Sequence, residues 1–264
     1  MNMAPNIVRP IVSPFARHIV VVNPNTTLAM TERIAATARA VVHVSTQIIA
    51  VQPSAGPASI EGYADEAMAV PHMLEALFSA QASNSAIAGY VIACFDDTGL
   101  DAARCVLDAP VVGIGEAACH MASLVAARFS VITTLSRSVS PIEHNLVKYG
   151  LASRCARVRA AEVAVLDLED PASDAYALIS NEIRAALKED RAEAIVLGCA
   201  GMSDLAARLS NEHGVPVIEG VGAAVKLIEC LSALNLITSK RITYAKPLTK
   251  AYAGAYPNFL TCHP

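Results

Sequence analysis

The chain has 264 residues, 54% of them hydrophobic and 17% charged, with a formal net charge of −4. This composition can bury a sizeable core in one large domain or two small ones, which excludes a disordered chain. Interspersed charge of both signs excludes a nucleic-acid footprint, and no apolar run reaches the ~20 residues of a membrane helix.

Met1 to Arg17 contains three prolines and two arginines but no continuous apolar run. It reads as a loose N-terminal arm and not as a secretory leader. His18 to Val22 is a β-branched strand ended by Asn23-Pro24-Asn25. Thr26 and Thr27 then offer caps for a helix to about Val42. Next come a strand over 47–51, a Pro/Gly/Ser loop over 53–60 and a helix over 61–83. A strand over 90–93, a helix over 99–107 and a strand over 110–114 complete the first series. The second series has strands at 129–134, 163–166, 194–198 and 215–219, with a helix over about 173–189. Apolar strands separated by helices predict βαβ units and parallel sheets buried on both faces.

Two segments repeat across the series. Gly89-Tyr-Val-Ile-Ala-Cys94 precedes Ala102-Ala-Arg104, and Ala194-Ile-Val-Leu-Gly-Cys199 precedes Ala206-Ala-Arg208. The cysteines are offset by 199 − 94 = 105 and the prolines Pro110 and Pro216 by 216 − 110 = 106. A near-constant offset over separate motifs predicts two like α/β halves. Open α/β sheets bind ligand beyond the carboxyl ends of their strands. Asn25, Cys94, Thr133, Thr134, Cys199 and Glu219 all fall at such ends.

Inversion at an acidic carbon needs a base on one face and an acid on the other. Cysteine serves both roles, because its pKa near ~8.5 lets thiol and thiolate coexist near neutrality. Both thiols precede expected helices, whose N-termini would lower their pKa values. Thr98 with Asp101 has the spacing of a helix cap, and Ser203 is the matching hydroxyl of the second series. Asp96 and Asp97 act oppositely, since a nearby carboxylate raises a thiol pKa. Backbone N–H groups after each cysteine would stabilise a carbanion, with Gly201 allowing close approach. Asn25, Thr133 and Thr134 can add side-chain hydrogen bonds.

A lone cysteine at a strand end is usually a small core residue. Cys105, Cys119, Cys155, Cys230 and Cys262 have no repeat partner and receive that reading. With seven cysteines, no leader, no Cys-x-x-Cys and no metal-type histidine spacing, a reducing cytoplasm without a zinc site is expected.

The motifs Val22-Asn-Pro-Asn-Thr-Thr27, Ser59-Ile-Glu-Gly62, Ala93-Cys-Phe-Asp-Asp-Thr-Gly-Leu100, Thr133-Thr134, Gly198-Cys-Ala-Gly-Met202 and Pro216-Val-Ile-Glu-Gly220 resemble the aspartate/glutamate/hydantoin racemase superfamily, closest to its hydantoin and allantoin branch. The resemblance implies a fold of two pseudo-symmetric parallel-sheet α/β halves with the active site in the cleft between them. Its boundaries would be 18–115 plus about 225–264 for the first half, after the 1–17 arm, and 116–224 for the second. It implies a cofactor-independent racemase that passes a proton between Cys94 and Cys199. The substrate pocket would comprise Asn25, Ser59, Ile60, Phe95, Asp96, Thr133, Thr134, Ala200 and Gly201. No metal is implied, and family members are commonly homo-oligomers. The tail Lys246 to Pro264 does not align.

The expected substrate is a 5-monosubstituted hydantoin or the related ureide allantoin. Two rival readings stay open at this point. One is an amino-acid racemase or maleate-type isomerase of the same superfamily. Such carboxylate substrates call for cationic donors, and no Arg or Lys falls inside the pocket motifs. The other is a two-lobed small-molecule binding protein without catalysis.

Overall fold

The computed structural model describes residues 17–170 and 172–250. Strands β1 (Arg17–Val22), β2 (Thr46–Val51), β3 (Ile87–Ile92) and β4 (Val111–Gly113) form one parallel sheet in the order β2-β1-β3-β4. Strands β5 (Phe129–Thr133), β6 (Cys155–Ala160), β7 (Ala194–Gly198) and β8 (Val217–Ile218) form a second parallel sheet in the order β6-β5-β7-β8. Adding four to each strand number converts the first order into the second. The expected doubling is therefore a repeat of topology, and the fold is α/β with two like halves.

The helices are α1 (Leu28–Val41), α2 (Tyr63–Ser83), α3 (Leu100–Val106), α4 (Ile114–Val125), α5 (Val139–Lys148), α6 (Ala175–Ala185), α7 (Ala206–His213) and α8 (Gly220–Ala233). Parallel strands joined by helical crossovers are covered on both faces, which is why β1 and β7 are nearly continuous apolar runs. The inner faces of the two sheets share one core. Ile19, Val21 and Val91 of the first sheet and Val131 and Val196 of the second join Ile34 of α1, Ala118 of α4, Ile142 of α5 and Val225 of α8. The outer faces are separate. Val20, Val22, Tyr90 and Ile92 pack on Met73, Leu77 and Leu100, while Ile132, Ile195 and Leu197 pack on Ile179 and Ile183. Late in the chain, α8 lies on β3, β4 and α1 and also along α4.

One expected strand is wrong. Residues 163–166 belong to no strand; Val165–Glu169 is a 3-10 turn, and the second sheet's outer strand is β6. Ala161, Val163 and Leu168 are buried in the outer core of the second sheet and Val165 in the core between the sheets, so their pattern records packing and not pairing. β6 is an edge strand whose arginines obscure it. Arg159 ion-pairs with Asp190 at 2.6 Å, Glu189 at 2.6 Å and Glu182 at 3.3 Å. The sequence reading also gives no helix over α4, α5 or α8. Arg17 is the first residue of β1. The rest of the expected arm, and residues 251–264 with Cys262, lie outside the described residues.

Candidate active site

β3 and β7 hold the same place in their sheets, and both chains leave their strand ends toward one cleft. Cys94 lies just past Ile92, the last residue of β3, and Cys199 directly follows Gly198, the last residue of β7. The cleft holds about 400 Å³ of free space, part of it open to solvent, and is lined by both cysteines. Of the other residues expected from sequence, Asn25, Ile60, Phe95, Asp96, Thr134 and Ala200 also line it.

Ser59, Thr133 and Gly201 are not in the lining. Thr133 is buried and its Oγ1 donates to the Gly198 carbonyl at 3.2 Å, tying the end of β5 to the end of β7. Gly201 packs against Leu168, where a Cβ would come within 2.9 Å of Leu168 Cδ1. Ser59 is half-buried beside Ile60. The lining also includes Asn23, Met30, Ser138 and Val165, which sequence reasoning did not select. Asn23 sits in the quoted Asn-Pro-Asn motif, whereas Ser138 lies in a segment left unassigned from sequence and Val165 in the segment misread as a strand.

The loop after β1 is rigid. Asn23 Nδ2 donates to Asn25 Oδ1 at 2.8 Å and to Thr31 Oγ1 at 2.9 Å, and Asn25 Oδ1 also accepts the Thr27 N–H at 2.9 Å. Asn25 therefore helps to hold the first turn of α1 in place.

The Cys94 loop departs from the expected helix cap. Gly99, with φ of 70°, holds the N-cap position of α3 with no side-chain cap bond. Thr98 instead donates its hydroxyl to Cys94 Sγ at 3.3 Å. The Cys94 thiol is pushed well up, first by burial and then by the Asp96 carboxylate. Thr98 and the Asp96 backbone N–H oppose that shift, and Glu66 adds to it. The expected lowering by a helix N-terminus is thus overturned. α3 starts only at Leu100, and burial of a thiolate outweighs so distant a dipole.

Asp97 caps a different helix. It is buried and accepts hydrogen bonds from the N–H groups of Gly115 at 3.0 Å and Glu116 at 2.8 Å, in the first turn of α4, and from Tyr149 Oη at 2.5 Å. The glycines make room for it. A Cβ on Gly113 would stand 2.0 Å from Asp97 Oδ1, and one on Gly115 would stand 2.2 Å from the Phe95 carbonyl oxygen. Burial raises the Asp97 pKa to about 7 against the pull of its three donors. The Asp96 pKa also rises to about 7, through burial and then the charges of Glu66 and Asp97.

Each cysteine loop is tied to the helix that follows the first strand of the other half. Asn145 and Tyr149, in and just after α5, donate to the Asp96 carbonyl at 2.9 Å and to Asp97. Reciprocally, Arg33 of α1 donates to the carbonyls of Leu168 at 3.2 Å and Gly201 at 3.4 Å and pairs with Asp204 at 3.5 Å. Thr37 of α1 shares a hydrogen bond with Ser203 at 2.9 Å. Ser203 is thus an inter-half contact and not a counterpart of Thr98. Glu219 caps α8 by accepting the N–H groups of Val221 and Gly222, each at 2.7 Å. Among the described residues no cluster of three or more His, Cys, Asp or Glu is placed to hold a metal ion. No described helix is long and apolar enough to cross a membrane.

Doubled topology around one shared cleft defines an α/β enzyme class whose site is assembled from both halves. Comparison with known proteins narrows it. The sequence model of the Asp/Glu/hydantoin racemase family matches residues 19–228. A hydantoin racemase of Rhizobium meliloti is 51% identical over 237 residues, spanning 90% of this chain and 98% of that protein. A hydantoin racemase of Pseudomonas sp. (strain NS671) is 45% identical over 241 residues, spanning 91% and 96%. The solved allantoin racemase from Klebsiella pneumoniae superposes with a TM-score of 0.89 at 47% identity, covering 93% of this chain and 99% of that one. The chain belongs to the Asp/Glu/hydantoin racemase family, and it is an isomerase of the racemase type.

Proposed function

We propose that this enzyme interconverts the enantiomers of 5-monosubstituted hydantoins, allantoin among them, by moving a proton between Cys94 and Cys199 without a cofactor. The observation that carries the reading is the arrival of two thiols, one from each sheet, in the lining of a single cleft. The relatives named for hydantoin and allantoin racemisation support the substrate class.

The hydantoin C5–H lies next to a carbonyl, so its removal gives an enolate-like carbanion. A thiolate on one side takes the C5 proton as the opposite thiol delivers its own to the other side. The base leaves the cycle as a thiol and the acid as a thiolate, which sets the cleft for the opposite enantiomer. Charge building on the carbonyl oxygen meets backbone N–H groups of the turns after the cysteines, and Thr134, which lines the cleft, can add its hydroxyl. Burial and Asp96 favour the thiol form of Cys94 at rest, which suits it to begin as the acid.

Polarimetry on a small hydantoin panel that includes allantoin tests the substrate class. Cys94→Ser and Cys199→Ser test the mechanism. Wild-type racemisation by both single variants would overturn it.

A further inference from the structure

The cleft has an uneven charge. Asp96 lines it, and no Arg or Lys does so among the described residues. Glu66, in the first turn of α2, stands near Asp96 and adds to the negative field there. Its Oε1 is buried with no hydrogen-bond partner among the described residues. Arg137 passes close to Gly62 but is exposed and outside the lining.

Asp96 and Glu66 are half-buried, and two such neighbouring carboxylates carry one negative charge readily and the second at a cost. Such a pair offers an acceptor to an N–H and repels an anion. A hydantoin or ureide presents N–H donors and no full charge, whereas an amino acid or a ring-opened N-carbamoyl acid presents a carboxylate. We propose that Asp96, backed by Glu66, is the specificity-determining residue of this cleft: it accepts a substrate N–H and keeps carboxylate-bearing ligands out. The proposal rests on the hydantoin reading above and assigns to one side chain the choice between neutral and anionic members of that chemistry. It also gives the opposed acidic side chains a role beyond their effect on the Cys94 thiol. Burial and then the charge of Glu66 raise the Asp96 pKa to about 7, so its carboxylate forms as pH rises through that value.

The test uses two ligands that cannot react: a 5,5-disubstituted hydantoin, which lacks the C5–H, and an N-carbamoyl amino acid, which is the ring-opened carboxylate. Affinities are read by calorimetry for wild type, Asp96→Asn and Glu66→Gln. Wild type should bind the ring and reject the acid. Asp96→Asn should bind the acid roughly five- to thirtyfold tighter, the size of one ionic contact several ångströms away at an effective dielectric of about 20 to 40. Glu66→Gln should move the same way by a smaller factor. It breaks no hydrogen bond at Oε1, so it carries the test even if Asp96→Asn does not fold. Equal wild-type affinity for ring and acid, or an unchanged preference in variants that still bind the ring, would overturn the proposal. Binding is read apart from turnover. An enzyme that racemises hydantoins without this shift loses only the filter; a shift without racemisation keeps the filter and loses the reaction.

Discussion

The Cys94 and Cys199 loops occupy the same place in two copies of one fold, yet their surroundings are chemically unlike. Around Cys94 stand Asp96, Asp97 and Glu66, with a Thr98 hydroxyl on the sulfur. After Cys199 comes a 3-10 turn, Ala200–Leu205, whose carboxylate Asp204 pairs with Arg33. Repetition of topology therefore places the two thiols alike, while the residues around each give it a different charge environment.

Removing either sulfur should break the comparison most severely. Cys94→Ser and Cys199→Ser should each reduce racemisation by about 10²- to 10⁴-fold, the usual worth of a positioned acid or base. Proton NMR in deuterated solvent should show each variant exchanging the C5–H of one enantiomer in preference, with opposite preferences. The same preference in both would refute an opposed pair.

The anchors come next. Asp97→Ala leaves the Gly115 and Glu116 N–H groups and Tyr149 Oη without their acceptor, which costs about 2–3 kcal/mol of stability. Arg33→Ala, its opposite number on the Cys199 side, removes a partly exposed anchor and should cost about 1 kcal/mol or less. Urea denaturation of the two variants measures the contrast; equal losses would mean that the loops are held alike.

The acidic side should also leave a mark on stability. The pKa values of Asp96 and Asp97 rise from 3.8 to about 7 on folding, so the folded state favours their protonated forms. That contribution is fully present below pH 3.8 and is lost as pH rises through about 7. Unfolding free energy should thus fall across this window, and Asp96→Asn should flatten the slope. A curve of unchanged steepness in Asp96→Asn would show that its carboxyl is not held near neutrality. The smallest effect is expected from Thr98→Val. Loss of one hydroxyl donor to sulfur should slow proton abstraction by Cys94 a few-fold, about 1 kcal/mol or less, with the opposite direction less affected.

Much of this asymmetry was legible in the sequence, since Asp96 and Asp97 are neighbours of Cys94 and no acid lies equally close to Cys199. The strands β1, β3 and β7 were legible because parallel strands covered on both faces are largely apolar runs. β6 was hidden because an edge strand need bury only one residue, here Val158, and its arginines serve ion pairs contributed by distant residues. α4 begins directly after β4 and α8 one residue after β8, so no loop marks their starts in the sequence. Thr98 illustrates a subtler limit. Its spacing to Asp101 fits a cap, but a sulfur four residues earlier takes the hydroxyl instead.

The fused interior decides how this molecule can be divided. A fragment ending at Val125 would lose Val131, Ile142, Val196 and Val225 from the core that Ile19, Val21 and Val91 belong to. The complementary fragment would be open in the same way. Neither length of chain closes its own interior, so each should remain unfolded alone and the pair should fold only when mixed.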